Sequence, residues 1–187
     1  TSLSPSSCLM FIDIHTHAYH PKIADKVLAQ LEGHYGIHPV GTGQIDDLLA
    51  RATAAGLDKV VVHNAATAPA QVVPANNWAI RIHREYPEVL AFGTLHTDFP
   101  EFERELDRLW RAGIKGIKFH ADFQGFRLDD RKLWPLFEDP VAREREVAVE
   151  PARVARDARP EAPRVVHLVG VAGGDRLADV RDPIAVR

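Results

Sequence analysis

Six short stretches rich in apolar and β-branched residues recur along the chain, and segments of helical spacing lie between them. The strand-like stretches are "LMFID" at 9–13, "DKVVVHN" at 58–64, "VLAFGTLH" at 89–96, "IKGIKFH" at 114–120, "EVAVE" at 146–150 and "RVVHLVG" at 164–170. Between the first two, Ile45, Leu48, Leu49 and Ala52 form an i, i+3, i+4, i+7 stripe, with Gly56 where a C-terminal cap belongs. Ile23, Val27, Leu28 and Leu31 form a looser stripe over 22–32. Residues 75–86 read as a helix stopped by Pro87. Phe102, Leu106, Leu109 and Trp110 make a further helical face, closed by Gly113. Asp129 and Asp130 look like an N-cap region, and a last helix is expected over about 151–158. This order predicts an α/β protein, with a parallel sheet covered by helices, because a parallel strand pair needs a crossover long enough to hold one.

An open doubly wound sheet and a closed barrel share that order. Five of the six strand-like stretches carry a histidine at or near their C-terminal end: His17, His63, His96, His120 and His167. A (β/α) barrel gathers its chemistry at that edge from many strands, whereas an open sheet concentrates it at one switch point. The expected fold is therefore a TIM-type (β/α) barrel. Six strands are visible, with room for a seventh near the C-terminus, so the barrel is expected to be incomplete against the usual eight.

The 187 residues carry a net charge of -3 with no basic block. That offers no electrostatic footprint for nucleic acid or an anionic membrane, and neither partner is expected. No apolar stretch reaches membrane-spanning length. The start has no basic region followed by a long apolar run, so no signal peptide is expected. Cys8 is the single cysteine, which excludes an internal disulfide framework and fits a reducing, cytoplasmic setting. Met10, the single methionine, directly precedes the first strand. Residues 1–9 are expected to be a disordered extension ahead of one domain spanning 10–187.

The first strand ends in "FIDIHTH". Strand side chains alternate, so His15 and His17 share a face, with Asp13 in phase. Two imidazoles so placed can converge on one metal ion; the alternative is a hydrogen-bonded pair at a strand end. Lys118 and His120 alternate in the same way in "GIKFHADFQGF". They can bind a substrate carboxylate, supply a ligand or hold a proton, or simply hydrogen-bond to the neighbouring loop. His63 and His96 read as ordinary strand-end histidines. His167 reads as a general base or a ligand. Gly41 and Gly43 lack the strand–helix context of a phosphate loop and read as a turn.

"FIDIHTH" together with "GIKGIKFHADFQGFRLDDRKLWPLFE" resembles the amidohydrolase superfamily, and more closely its group that includes aminocarboxymuconate-semialdehyde decarboxylase. The resemblance runs from about Leu9 to Glu138 and resumes weakly at "PARVARDARPEAPRVVHLVG". It implies a (β/α)8 barrel holding one or two divalent ions, most often zinc, and metal-dependent hydrolysis of a C–N or similar bond in a small molecule. It also implies non-oxidative decarboxylation as an alternative. His15 and His17 match the family's first-strand metal pair. His167 matches the sixth-strand histidine, a ligand or catalytic base.

Two departures from the family pattern follow. Glu150 stands where a fifth-strand histidine is expected, with Pro151 directly after it. The chain reaches Arg187 without an eighth strand and its aspartate. Every aromatic residue lies at or before Phe137 and every lysine at or before Lys132, so the sequence is divergent after about residue 139. The expected metal ligands are His15, His17, His120 and Glu150, with Lys118 and His167 as catalytic candidates. A fragment without activity is the rival reading. A homo-oligomer formed through the open barrel edge is the expected partner, should that edge stay unpaired.

Overall fold

The computed structural model describes residues 10–127, 131, 134–135 and the backbone of 146–150. Strand β1 spans Ile12–Thr16, β2 Lys59–Val62, β3 Val89–Ala91, β4 Gly93–Thr94, β5 Gly116–His120 and β6 Glu146–Glu150. The helices between them include α1 Ala24–Tyr35, α2 Ile45–Ala54, α3 Val72–Glu85, α4 Phe102–Arg111 and the single turn α5 Ala121–Gln124. All strand pairs among the described residues are parallel, in two sheets of order β1-β2-β3 and β4-β5-β6.

The two sheets share one continuous stretch of backbone. Val89–Ala91 pair with β2, Phe92 N–H donates to the Val62 carbonyl at 2.9 Å, and Gly93 then pairs with Ile117 of β5. The single strand expected over 89–96 is thus split at Phe92 into β3 and β4. Glycines make room on both sides of this crossing. A Cβ at Gly116 would come within 2.3 Å of the Phe92 ring, and one at Gly93 within 2.6 Å of Leu109. Glycine at both positions lets a phenylalanine and a helix approach the backbone closely.

Alternation places the core. Val60, Val62, Val89, Ala91, Ile117 and Phe119 are buried together with Trp78, Ala79 and Ile82 of α3 and Leu106 and Leu109 of α4. Asn76 of α3 ties this layer to β4. Its amide donates to the Thr94 carbonyl at 3.0 Å and to Glu105 Oε1 at 2.7 Å, while its Oδ1 accepts from Thr94 N–H at 2.7 Å. Arg108 closes the network on the Glu105 carboxylate. Helix α3 starts before the expected residue 75 and includes Pro74; a proline in the first turn removes no helical hydrogen bond. Gly56 and Gly113 follow α2 and α4 with φ of 73° and 89°, the left-handed conformation expected of them.

Among the described residues the strands do not close into a ring, and β1 pairs only with β2. The incomplete barrel expected from the sequence is seen among the described residues as an open run of parallel strands. Ile12 and Ile14 of β1 are 38% and 62% exposed. The expected strand at 164–170, the helices expected after Asp130 and over 151–158, the extension 1–9 and the divergent tail lie outside the described residues. Among the described residues, no helix is long and apolar enough to cross a membrane.

Candidate functional site

His15 is the penultimate residue of β1, and His17 lies just beyond its end. The β1–β2 register shifts between Asp13 and Thr16, so one extra residue on β1 breaks the alternation there. Asp13 lies just before the shift, and its Oδ1 accepts the His15 N–H at 3.0 Å. The bulged end still brings the two imidazoles together, with ring centroids 5.1 Å apart. Both residues are exposed.

His63, directly after β2, completes this cluster. Its ring centroid lies 5.0 Å from that of His15, 6.5 Å from that of His17 and 4.7 Å from that of Phe92. His17 Nδ1 lies 2.8 Å from the His63 carbonyl oxygen. A carbonyl only accepts, so Nδ1 carries the His17 proton and Nε2 is the basic nitrogen. By the same logic His63 Nε2 donates to the Ile14 carbonyl at 2.9 Å. His63 Nδ1 is then buried without a hydrogen-bond partner, and so are both side-chain atoms of Asn64 beside it. Burial pushes the His63 pKa down to about 4, with repulsion from Lys118, His15 and His17 in the same direction and the bond to the Ile14 carbonyl opposing.

Lys118 stands in the middle of β5 and is 3% exposed. Its ladder partners put it on the face opposite Ile117 and Phe119, and its charge is felt at His63. His120 ends the same strand. Its Nδ1 accepts the Phe123 N–H at 3.4 Å, capping α5, and its ring stacks on Phe123 at 4.3 Å. Its Nε2 lies 3.2 Å from the hydroxyl of Tyr35, the last residue of α1. Next to it, His34 Nε2 meets Asp122 Oδ2 at 3.0 Å. Gln124 stitches the strand ends beneath, donating to the Ala66 and Leu95 carbonyls at 2.7 Å each and accepting from His120 N–H at 3.3 Å. Glu150 is the ladder partner of His120; only its backbone is described.

The structure thus gathers His15, His17 and His63 at one end of β1–β2, within electrostatic reach of Lys118, and sets His120 beside Glu150 in the neighbouring sheet. Among the described residues no group of three histidines, cysteines or carboxylates is arranged to hold a metal ion. His167 lies outside the described residues. His63 and Tyr35 are the residues that sequence reasoning passed over. The first had only its strand-end position to mark it. The second lies 85 residues from its partner, in a segment with no pattern tying it to β5. His96 sits apart, 6% exposed, with Nδ1 accepting the Asp98 N–H at 3.1 Å. A cavity of about 490 Å³ lies elsewhere, along α4 between Val73, Phe99 and Arg108; none of the clustered histidines lines it.

No family model matches the chain, and no curated protein does. The crystal structure of an "Amidohydrorolase II" is similar, with a TM-score of 0.57 at 18% sequence identity. The match covers 79% of this chain and 53% of that one, so the chain spans about half the length of the solved structure. At this identity the likeness establishes a common fold.

Proposed function

We propose that the chain supplies strands of a (β/α) barrel that acts as a metal-dependent hydrolase of the amidohydrolase type on a small molecule. The observation that carries this reading is the His15–His17 pair. The two rings lie 5.1 Å apart at a strand end, and the His17 proton is committed to a backbone carbonyl. That is the donor chemistry a divalent ion needs: neutral imidazole, with the nitrogen away from the metal donating to a carbonyl. Zinc suits such nitrogens and takes three protein ligands with one open position at a catalytic site. His15 and His17 would be two of them. Glu150, His120 and His167 are the proposed sources of the third. For His120 this requires its Nε2 to leave the Tyr35 hydroxyl.

When bound, a zinc ion would supply Lewis acidity toward a substrate carbonyl and a water molecule. Lys118, buried in the middle of β5, would orient an acidic group of the substrate. His167 would hold and pass the proton. The buried Lys118 also suits a non-oxidative decarboxylase, whose substrate is itself a carboxylate. We place the protein in the cytoplasm, as the cysteine count suggests, with no nucleic-acid or membrane partner. Ile12 and Ile14 are exposed, and among the described residues β1 pairs on one side only, which supports self-association through β1.

Elemental analysis of the chain purified without chelator tests this reading. About one zinc per chain is expected. Metal-free protein that takes up none on zinc addition would leave the non-catalytic fragment as the better reading.

A further inference from the structure

His63 makes three bonds to the bulged end of β1. Its backbone N–H donates to the Thr16 carbonyl at 2.8 Å. Its Nε2–H donates to the Ile14 carbonyl at 2.9 Å. Its own carbonyl accepts the His17 Nδ1–H at 2.8 Å. Thr16 adds a fourth bond between the strands, from its hydroxyl to the Val61 carbonyl at 2.9 Å. These bonds flank His15 on both sides along the chain, at the place where the register shift interrupts the regular ladder. A bulge leaves backbone groups without ladder partners. Here a side chain supplies the missing donor to Ile14, and the ring that does so packs edge-on against His15 and Phe92.

We propose that His63 is a positioning residue. It clamps the bulged end of β1, so that His17 is held as the Nδ1–H tautomer and His15 is held beside it. The proposal deepens the metal reading of the His15–His17 pair and rests on it for its affinity consequence, whereas its tautomer consequence stands without any metal. The clamp uses a side-chain N–H at one particular reach. Glutamine, whose Nε2 lies at a comparable reach, should replace it, and leucine, of similar bulk with no donor, should not.

The test is long-range ¹⁵N–¹H NMR of the full chain, followed by zinc titration of wild type, His63→Gln and His63→Leu, with circular dichroism to confirm the fold of each. In metal-free wild type His17 should show the Nδ1–H tautomer. His63→Leu should mix the His17 tautomers and weaken zinc binding by roughly tenfold to a hundredfold, the usual effect of removing a residue that orients a metal ligand. His63→Gln should stay near wild type. An Nε2–H tautomer of His17 in wild type overturns the proposal without any variant, even if a variant fails to fold. So does unchanged His17 tautomer and affinity in His63→Leu, or equal loss in both variants. A wild type that binds no zinc defeats the metal reading, and the tautomer result then decides the clamp.

Discussion

The Tyr35 hydroxyl lies 3.2 Å from His120 Nε2 and so joins the end of α1 to the end of β5. Helix α1 buries only Ala24 along its length. Its C-terminal end is held by this bond, by the His34–Asp122 pair and by the Tyr35 and His34 rings against Phe123. Tyr35→Phe keeps the ring contacts and removes the bond. The expected loss is about 1 kcal/mol of stability. The expected local effect is faster amide hydrogen exchange in α1, with β5 exchange unchanged. Identical α1 exchange in the variant would show that the bond does not hold the helix.

Gly116 is required by Phe92. A methyl at this position would meet three ring carbons at 2.3–2.4 Å. Gly116→Ala should therefore destabilise the chain by roughly 1–3 kcal/mol in urea unfolding. Adding Phe92→Leu should recover part of that loss, because the smaller side chain vacates the space. A double variant less stable than the sum of the two single changes would contradict the steric account.

Asn76 satisfies both backbone groups of Thr94 and one oxygen of Glu105 while fully buried. Asn76→Ala leaves these groups without their partner in the interior. The expected cost is on the order of 3 kcal/mol, seen as a lower urea midpoint. A loss below about 0.5 kcal/mol, typical of surface substitutions, would mean that the network is not formed.

His96 is buried, and burial holds its pKa below the usual imidazole value of 6.5, against a partial pull from the exposed Asp98 carboxylate 3.9 Å away. The unfolded chain therefore binds this proton more readily than the folded one. The stabilisation is complete above about pH 6.5 and declines as the pH falls below it. Comparing urea midpoints at pH 7 and pH 5, His96→Asn should lose less stability on acidification than wild type. Asparagine keeps an acceptor for the Asp98 N–H and has no proton to gain. An equal or larger loss in the variant would show that His96 is not the group responsible.

The strands and helices up to β5 were legible because each depends on local pattern. The α2 stripe, the glycines after α2 and α4, and the valines of β2 all lie where periodicity and capping put them. The break at Phe92 was not legible, since it marks a change of pairing partner from β2 to β5 that the strand's own pattern does not encode. The pairing of His15 with His17 followed from their spacing, although the bulge that orients them did not. The extra residue between Asp13 and Thr16 leaves no mark in composition. His63 was passed over for a similar reason: its role comes from cross-strand bonds to Ile14, Thr16 and His17, which no spacing along its own strand encodes.

Zinc titration calorimetry on metal-free protein tests whether His15 and His17 bind a divalent metal. Wild type should bind zinc with a stoichiometry of about one, and the His15→Ala/His17→Ala variant, folded by circular dichroism, should show no stoichiometric binding. Equal zinc binding by the two folded proteins, or none by wild type, would contradict the account.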